Sequence, residues 1–254
     1  MEKIKKHFLV SALSLSILST GVVAHADEGI KKDSVFPQKY KTEEHELINF
    51  FNNYDVPYSL QIELLEKLRK GKKWDSLNNE KAISKEKRLN DDGVEEIVSR
   101  FKDGSIVVNS GDTELFEFKE LYIESDLKKM ENIKNSPQGI VSGGTVTGGS
   151  GYKSYKKAKV YSNTGVLNAS FYANFTLVQN GNDFISNAYD YSIQGKLGVA
   201  SFQSLKIIKK TESLDGRAQA KLDFSYKAAE DVVNSTYWLK LYVGNDKYSS
   251  SDNY

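Results

Sequence analysis

Residues 167–179 alternate regularly between two kinds of side chain. Leucine, alanine and phenylalanine fill most odd positions, whereas asparagine, serine, tyrosine and threonine fill most even positions. A period of two is typical of a β-strand with one buried face and one exposed face. Asn180-Gly181 follows and favours a tight hairpin turn, and residues 185–193 then continue as a second strand.

Similar strand patterns continue to the end of the chain, separated by turns that contain glycine or asparagine. Six or seven short strands with such turns predict an antiparallel β-sandwich over residues 152–254. The further strands are expected at 199–210, 218–226 and 236–243, and the turns at 195–196, 215–216 and 229–234.

The N-terminal half has a helical period instead. Leu47, Ile48 and Phe51 form an apolar stripe between Thr42, a plausible N-cap, and Asn53. After a Val-Pro break, leucine recurs at every fourth position from 60 to 68, and Gly71 follows the basic residues that suit a helix C-terminus. The pattern predicts two helices.

A small hairpin is expected after the helices. Val94–Phe101 and Ser105–Ser110 have strand character, and Asp103-Gly104 between them supplies the positive φ of a tight turn. Residues 114–130 fit a strand as well as a helix. Carboxylates are frequent there, but their spacing does not resemble a calcium-binding loop.

Trp74, Asp75 and Ser76 lie between the helices and the hairpin. An Asp-Ser pair beside tryptophan suggests a nucleophile and its helper, yet no histidine base accompanies it. We therefore expect Trp74 to close the open end of the helical pair, with Asp75 or Ser76 capping backbone groups of the turn.

Residues 136–151 contain six glycines and no charge, which predicts a flexible linker between two domains. A phosphate-binding loop would need a Gly-Lys-Ser/Thr ending followed by a helix, and both are missing here. The charge supports the division, since residues 27–137 carry a net charge of −5 and residues 138–254 one of +4. The expected organisation is a helix-and-hairpin region over 27–135, the linker, and the sandwich domain.

The first 26 residues have the pattern of a secretory signal peptide. Three lysines precede an apolar stretch from Phe8 to Val23, and Ala24-His25-Ala26 places small residues where an export peptidase cleaves. The alternative is a membrane anchor, but a span needs about 20 apolar residues and this stretch has 16. We expect cleavage after Ala26 and release of a secreted, extracellular product without a stable membrane anchor.

Composition excludes several chemistries. The chain has no cysteine, which removes disulfides, thiolate nucleophiles and zinc-thiolate sites. His7 and His25 fall within the signal peptide, so His45 is the one histidine of the expected mature chain, and its carboxylate neighbours indicate a surface residue. We therefore expect no cofactor, no metal and no enzymatic activity. The formal net charge of +1 gives no reason to expect nucleic acid as a partner.

Tyrosine is concentrated in the second half, where 11 of the 15 tyrosines follow Gly151. A tyrosine ring offers an apolar face with a polar tip, which suits carbohydrate or protein surfaces. The alternative explanation is the ordinary preference of tyrosine for strands. The candidate ligand-binding residues are Tyr172, Tyr189, Tyr191 and Tyr242.

Three segments carry a resemblance: residues 56–77, which end in Gly-Lys-Lys-Trp-Asp-Ser-Leu, the hairpin segment 101–110, and residues 152–248, especially 173–183 and 239–248. In these segments, which cover most of the expected mature chain, the sequence resembles uncharacterised exported proteins of Gram-positive bacteria. The resemblance implies export by a Gram-positive cell and a C-terminal β-rich domain of unknown function, and it supplies no catalytic residue.

Three functions are compatible with these patterns. The first is a secreted, non-enzymatic interaction module for a cell-wall polymer or an extracellular protein. The second is a bacteriocin-like or membrane-damaging antagonist whose glycine-rich segment 143–151 rearranges at its target. The third is a hydrolase that uses two carboxylates in one cleft, one of them with a raised pKa. The sequence does not indicate an oligomeric state.

Overall fold

The computed structural model describes residues 40–91, 93–110, 144–228 and 234–254. All of these residues belong to one compact unit. Within these ranges the chain forms two α-helices, one short 3-10 helix and eleven strands, an α+β architecture whose C-terminal part is rich in strands. In order they are α1 (Tyr40–Asn53), α2 (Tyr58–Arg69), the 3-10 helix (Asp75–Leu77), β1 (Ser84–Leu89), β2 (Glu95–Arg100), β3 (Ile106–Ser110), β4 (Thr145–Gly149), β5 (Tyr152–Asn163), β6 (Leu167–Val178), β7 (Phe184–Gly195), β8 (Gly198–Lys209), β9 (Ala218–Ala228), β10 (Ser235–Gly244) and β11 (Lys247–Asp252).

Both predicted helices are confirmed. Leu47 and Phe51 of α1 and Leu64 of α2 are buried, as the helical spacing requires. Trp74 is fully buried after α2, its ring centroid lies 5.5 Å from that of Phe51, and its indole N–H donates to the Leu64 carbonyl oxygen at 2.8 Å. Trp74 therefore packs against both helices, which agrees with the role expected from the sequence.

The strands form two antiparallel sheets. The first has seven strands in the order β1-β2-β3-β5-β6-β7, with β4 paired to β5 beside this path. The second has four strands in the order β11-β10-β9-β8. The predicted hairpin is β2 and β3, whose turn contains Gly104 at a φ of +85°. The hairpin of β6 and β7 turns at Asn180, whose φ of +57° fits the expected tight turn.

The alternation in β6 produces the expected burial. Its odd positions from 167 to 177 are buried, whereas Tyr172, Asn174 and Thr176 are only partly covered. Side chains from the helices and from both sheets then join in one hydrophobic core. The Tyr248 ring of β11 lies 5.2 Å from Tyr155 and 5.1 Å from Phe175, so aromatic side chains connect the two sheets directly.

The glycine-rich stretch is partly regular structure. Residues 145–149, inside the predicted linker 136–151, form β4 and pair with β5, because alternate backbone groups there find partners in Tyr152–Lys156. Residues 136–143 of the linker, and residues 114–130, lie outside the described residues. The first sheet also joins the two sequence halves, since Val108 of β3 pairs with Asn163 of β5.

Helix α1 contacts the turns at one end of the strands. The Leu197 N–H, between β7 and β8, donates to a Glu43 carboxylate oxygen at 2.5 Å, and Lys196 Nζ lies 2.9 Å from Glu46. A side chain on Gly165, between β5 and β6, would come within 2.6 Å of the Phe50 ring. The helical end is thus packed closely on the strand turns.

Candidate functional site

Strand β10 directs a group of large polar and aromatic side chains away from the core. Its sequence Tyr-Trp-Leu-Lys-Leu-Tyr-Val alternates, so Leu239 and Leu241 are buried while Trp238, Lys240 and Tyr242 are partly exposed. Because these three residues are two positions apart, they stand in line on one face of the second sheet. We call this surface the cation–aromatic face.

Cations and rings alternate along this line. Lys240 Nζ lies 4.4 Å from the Trp238 ring centroid and 5.8 Å from that of Tyr242, and Arg217 Cζ lies 4.9 Å from the same tyrosine ring. Each exposed cation–ring contact contributes about 0.5–1 kcal/mol and, more importantly here, fixes a long side chain against a flat ring. The order is therefore Trp238, Lys240, Tyr242 and Arg217.

The surroundings of the face are polar and hold the arrangement in place. Arg217 donates from Nη1 to Ser249 Oγ at 3.2 Å on β11. The backbone N–H of Trp238 donates to Asn253 Oδ1 at 2.6 Å. Ser249 is itself buried, so these two hydrogen bonds fix Arg217 and the β10 backbone beneath the rings.

The predicted tyrosines are not collected in one place. Tyr242 lies on the cation–aromatic face, whereas Tyr172 and Tyr189 stack on each other in the first sheet with centroids 6.2 Å apart. Tyr191 stacks on Phe202 of β8 at 3.9 Å, and the two rings are 46% and 42% exposed. The four residues therefore take part in three different ring contacts, two of which involve β7.

Sequence reasoning missed three members of the face. Trp238 and Lys240 share with Tyr242 the two-residue spacing along β10, and that spacing was available as a signal. Arg217 had no such signal, because it precedes β9 and reaches Tyr242 only through the pairing of β9 with β10.

The hydrolase hypothesis directs attention to carboxylates with raised pKa values. Asp183 is fully buried, and burial raises its pKa, with Glu212 and Asp246 adding to the rise. Both of its carboxylate oxygens, however, accept backbone N–H groups, from Val178 at 2.7 Å and from Asp246 at 2.9 Å. Asp183 therefore holds together the connections β6–β7, β8–β9 and β10–β11. Both of its carboxylate oxygens already accept hydrogen bonds from the backbone.

Two further carboxylates are held by neighbouring side chains. Burial raises the pKa of Asp252, which accepts a hydrogen bond from Ser162 Oγ at 2.8 Å between the two sheets. Glu96 accepts hydrogen bonds from the hydroxyls of Tyr54 and Tyr161, and burial followed by the nearby carboxylate raises the pKa of both tyrosines. These contacts connect β5 with β11, and they connect β2 with β5 and with Tyr54, the residue that follows α1.

Other functional groups are sparse in the described ranges. His45 is exposed on α1. No cluster of three or more metal-ligating side chains occurs in residues 40–91, 93–110, 144–228 and 234–254. Within the same part of the chain, no helix has both the length and the apolar character to cross a membrane.

Comparison with known proteins gives little further information. Neither a protein family nor a curated protein matches the sequence. A crystal structure of a hypothetical protein, lmo2686 from Listeria monocytogenes EGD-e, shares 20% sequence identity, and the match covers 66% of this chain and 92% of that one. The TM-score is 0.30, so this likeness carries no argument about fold or function.

Proposed function

We propose that this protein is exported by a Gram-positive cell, loses residues 1–26 by cleavage after Ala26, and acts outside the cell without catalysing a reaction. Its two sheets form a β-sandwich that serves as an interaction module, and its cation–aromatic face binds a cell-surface polymer. In this proposal the glycine-rich segment 136–151, whose residues 145–149 are β4 of the first sheet, connects the helix-and-hairpin region to β5 and the strands that follow.

The alternation of rings and cations along β10 carries the proposal. Trp238 and Tyr242 are the kind of flat, amphipathic side chains that contact sugar rings and protein surfaces, and both are held by neighbouring cations. Strand β10 is an interior strand of its sheet, paired with β9 and β11, so its outward side chains have a rigid backbone beneath them. Rigid presentation lowers the entropic cost of binding.

The test is binding of the protein recovered from the culture medium to isolated cell envelopes. N-terminal sequencing of that protein should begin at Asp27. The double variant Trp238→Ala/Tyr242→Ala should bind the envelope at least about tenfold more weakly, because aromatic anchors of this size commonly contribute more than 1 kcal/mol each. Circular dichroism would establish that the variant is folded.

The matched control is Tyr172→Ala/Tyr189→Ala, which removes a ring pair from the first sheet. We expect it to bind as the unchanged protein does. Loss of envelope binding in this control but not in the β10 variant would move the site to the first sheet. Failure of the unchanged protein to bind any envelope fraction, or leakage from liposomes at the same concentration, would overturn the proposal.

A further inference from the structure

Three lysines stand side by side across the second sheet. Lys206 of β8 pairs in register with Lys221 of β9, and Lys221 pairs in register with Lys240 of β10. Residues paired in register point to the same face, and adjacent strands are about 4.8 Å apart. The lysine row, Lys206, Lys221 and Lys240, therefore crosses the strands at right angles on the cation–aromatic face.

Such a row works against the stability of the free protein. Like charges directly opposite each other on neighbouring strands repel, and here the middle lysine faces one on each side. One carboxylate offsets part of this repulsion, since Asp223 Oδ1 lies 2.6 Å from Lys221 Nζ. Its other oxygen accepts a hydrogen bond from Ser204 Oγ at 3.1 Å.

The neighbouring rows leave the positive excess of the lysine row unchanged, because they add one lysine and one aspartate. The row on one side of the lysine row consists of Ser204, Asp223 and Trp238. The row on its other side consists of Lys209, Gln219 and Tyr242. These three rows hold four lysines and one aspartate. A face with this excess of positive charge has strong complementarity for a ligand with several negative charges in a line.

We propose that the lysine row binds a linear anionic polymer whose successive charges contact Lys206, Lys221 and Lys240, with Trp238 and Tyr242 on either side of its path. The inference rests on the proposed function and specifies the chemistry of the ligand. The polymer runs across the strands, and its negative charges relieve the repulsion that the free sheet carries.

The chemistry of the face favours a polymer over a lipid surface. None of the exposed large apolar side chains of the described residues is paired into the three rows, and Ile208 beside them is the extra residue of a bulge between Ile207 and Lys209. Peripheral binding to a bilayer depends on apolar area that enters the acyl boundary together with charge. Serine and glutamine occupy the remaining positions and suit a hydroxyl-bearing or phosphate-bearing chain.

The experiment measures binding of the full protein to linear polyphosphate over a series of salt concentrations. The triple variant Lys206→Gln/Lys221→Gln/Lys240→Gln should bind about 10- to 100-fold more weakly at low salt, since exposed ion pairs contribute up to about fivefold each. The slope of log K against log salt should fall by about two, because each released contact contributes about 0.7 to that slope in a flexible polyanion.

The matched control is Lys159→Gln on β5 of the first sheet. Lys159 also lies over a tyrosine ring, that of Tyr161, at 5.9 Å, but its in-register partner on β6 is Tyr172 and not a lysine. We expect the control to retain its polyphosphate affinity and its salt slope. A loss per lysine as large in the control as in the triple variant would show nonspecific charge attraction and overturn the inference.

Binding measurements with other ligands identify the class of polymer. Poly-γ-glutamate tests carboxylate in place of phosphate and should bind through the same lysines, whereas uncharged dextran should not bind. Tighter binding to phosphatidylglycerol vesicles than to polyphosphate would overturn the polymer inference. If envelope binding is lost in Trp238→Ala/Tyr242→Ala but is unchanged in the triple lysine variant, the proposed function stands and this inference is wrong.

Discussion

Gly244, at the end of β10, leaves the space through which Arg217 reaches Tyr242. A Cβ atom at this position would lie 2.4 Å from Arg217 Cγ and 2.9 Å from its Cβ. The atoms that approach belong to the base of the side chain, so rotation of its far end does not relieve the contact. A residue without a side chain thus determines where a cation is held on the face.

Gly244→Ala should therefore displace Arg217 from the ring and from Ser249, and lower the free energy of unfolding by about 1–3 kcal/mol, the usual effect of overpacking. Urea unfolding would measure it. In an Arg217→Ala background the same glycine change should cost less, because the closest clashing atom, Arg217 Cγ, is gone, while the 2.9 Å contacts to the Cβ of residue 217 and to Glu212 Oε1 remain. An equal cost in both backgrounds would contradict this explanation.

The turn of the β2–β3 hairpin is held by a reciprocal pair of aspartates. The Asp75 N–H donates to Asp103 Oδ2 at 3.0 Å, and the Asp103 N–H donates to Asp75 Oδ2 at 3.2 Å. Lys67 of α2 adds a charged contact of 2.8 Å to Asp103. Burial works to raise the pKa of Asp103, but the hydrogen bonds from Lys67, Ser105 and the backbone outweigh it and hold that pKa below the ordinary value of 3.8. One carboxylate thereby connects the helical region to the hairpin.

A pKa that is lowered on folding implies a pH-dependent contribution to stability. The contribution of Asp103 is present above its unfolded pKa and is lost as the pH falls through its lower folded pKa. Asp103→Asn should lower the free energy of unfolding by about 1–3 kcal/mol at pH 7, and the difference from the unchanged protein should shrink toward pH 2. Urea unfolding over this pH range measures it.

Asp55→Asn is the control for the hairpin prediction. The Asp55 side chain is 73% exposed, and Arg88 Nη1 lies 3.2 Å from it. An exposed pair of this kind contributes about 0–1 kcal/mol, so the change should have a small effect at every pH. A loss at Asp103 that does not vary with pH would mean that its role is steric and not electrostatic.

At the scale of the whole molecule, the helices and both sheets share one core. Tyr237 of β10 donates its hydroxyl to the Leu77 carbonyl oxygen at 3.0 Å, and its ring lies 6.2 Å from Phe224 of β9. The 3-10 helix is thereby joined to the second sheet, while α1 contacts the β7–β8 turn. Elements that bury the same apolar surface lose it together, which favours cooperative unfolding.

We accordingly expect a single unfolding transition. In a Trp238→Phe variant the one remaining tryptophan is Trp74, which reports on the helical end, whereas far-ultraviolet circular dichroism reports mainly on the strands. The two signals should change at the same urea concentration. Loss of the Trp74 signal before the strands unfold would instead support two independent domains, as the glycine-rich stretch suggests.

Much of the secondary structure was predictable because it rests on local periodicity. The leucine spacing of α2 and the alternation of β6 each bury one face, so the pattern alone indicates the element. The polar strands were harder to predict from the sequence. β1 (Ser84–Leu89) is mostly charged and β11 (Lys247–Asp252) is mostly serine and polar residues, and both are strands because β2 and β10 offer them backbone partners.

The sequence by itself determined the helices, the alternating strands and the absence of cysteine chemistry, since each depends on residue type and spacing along the chain. Only the tertiary structure decided that Lys206, Lys221 and Lys240 form a row, that Arg217 reaches Tyr242, and that the four candidate tyrosines separate. Those relations depend on strand order and register. Register is set by packing and hydrogen bonding between segments far apart in the chain, which no local pattern contains.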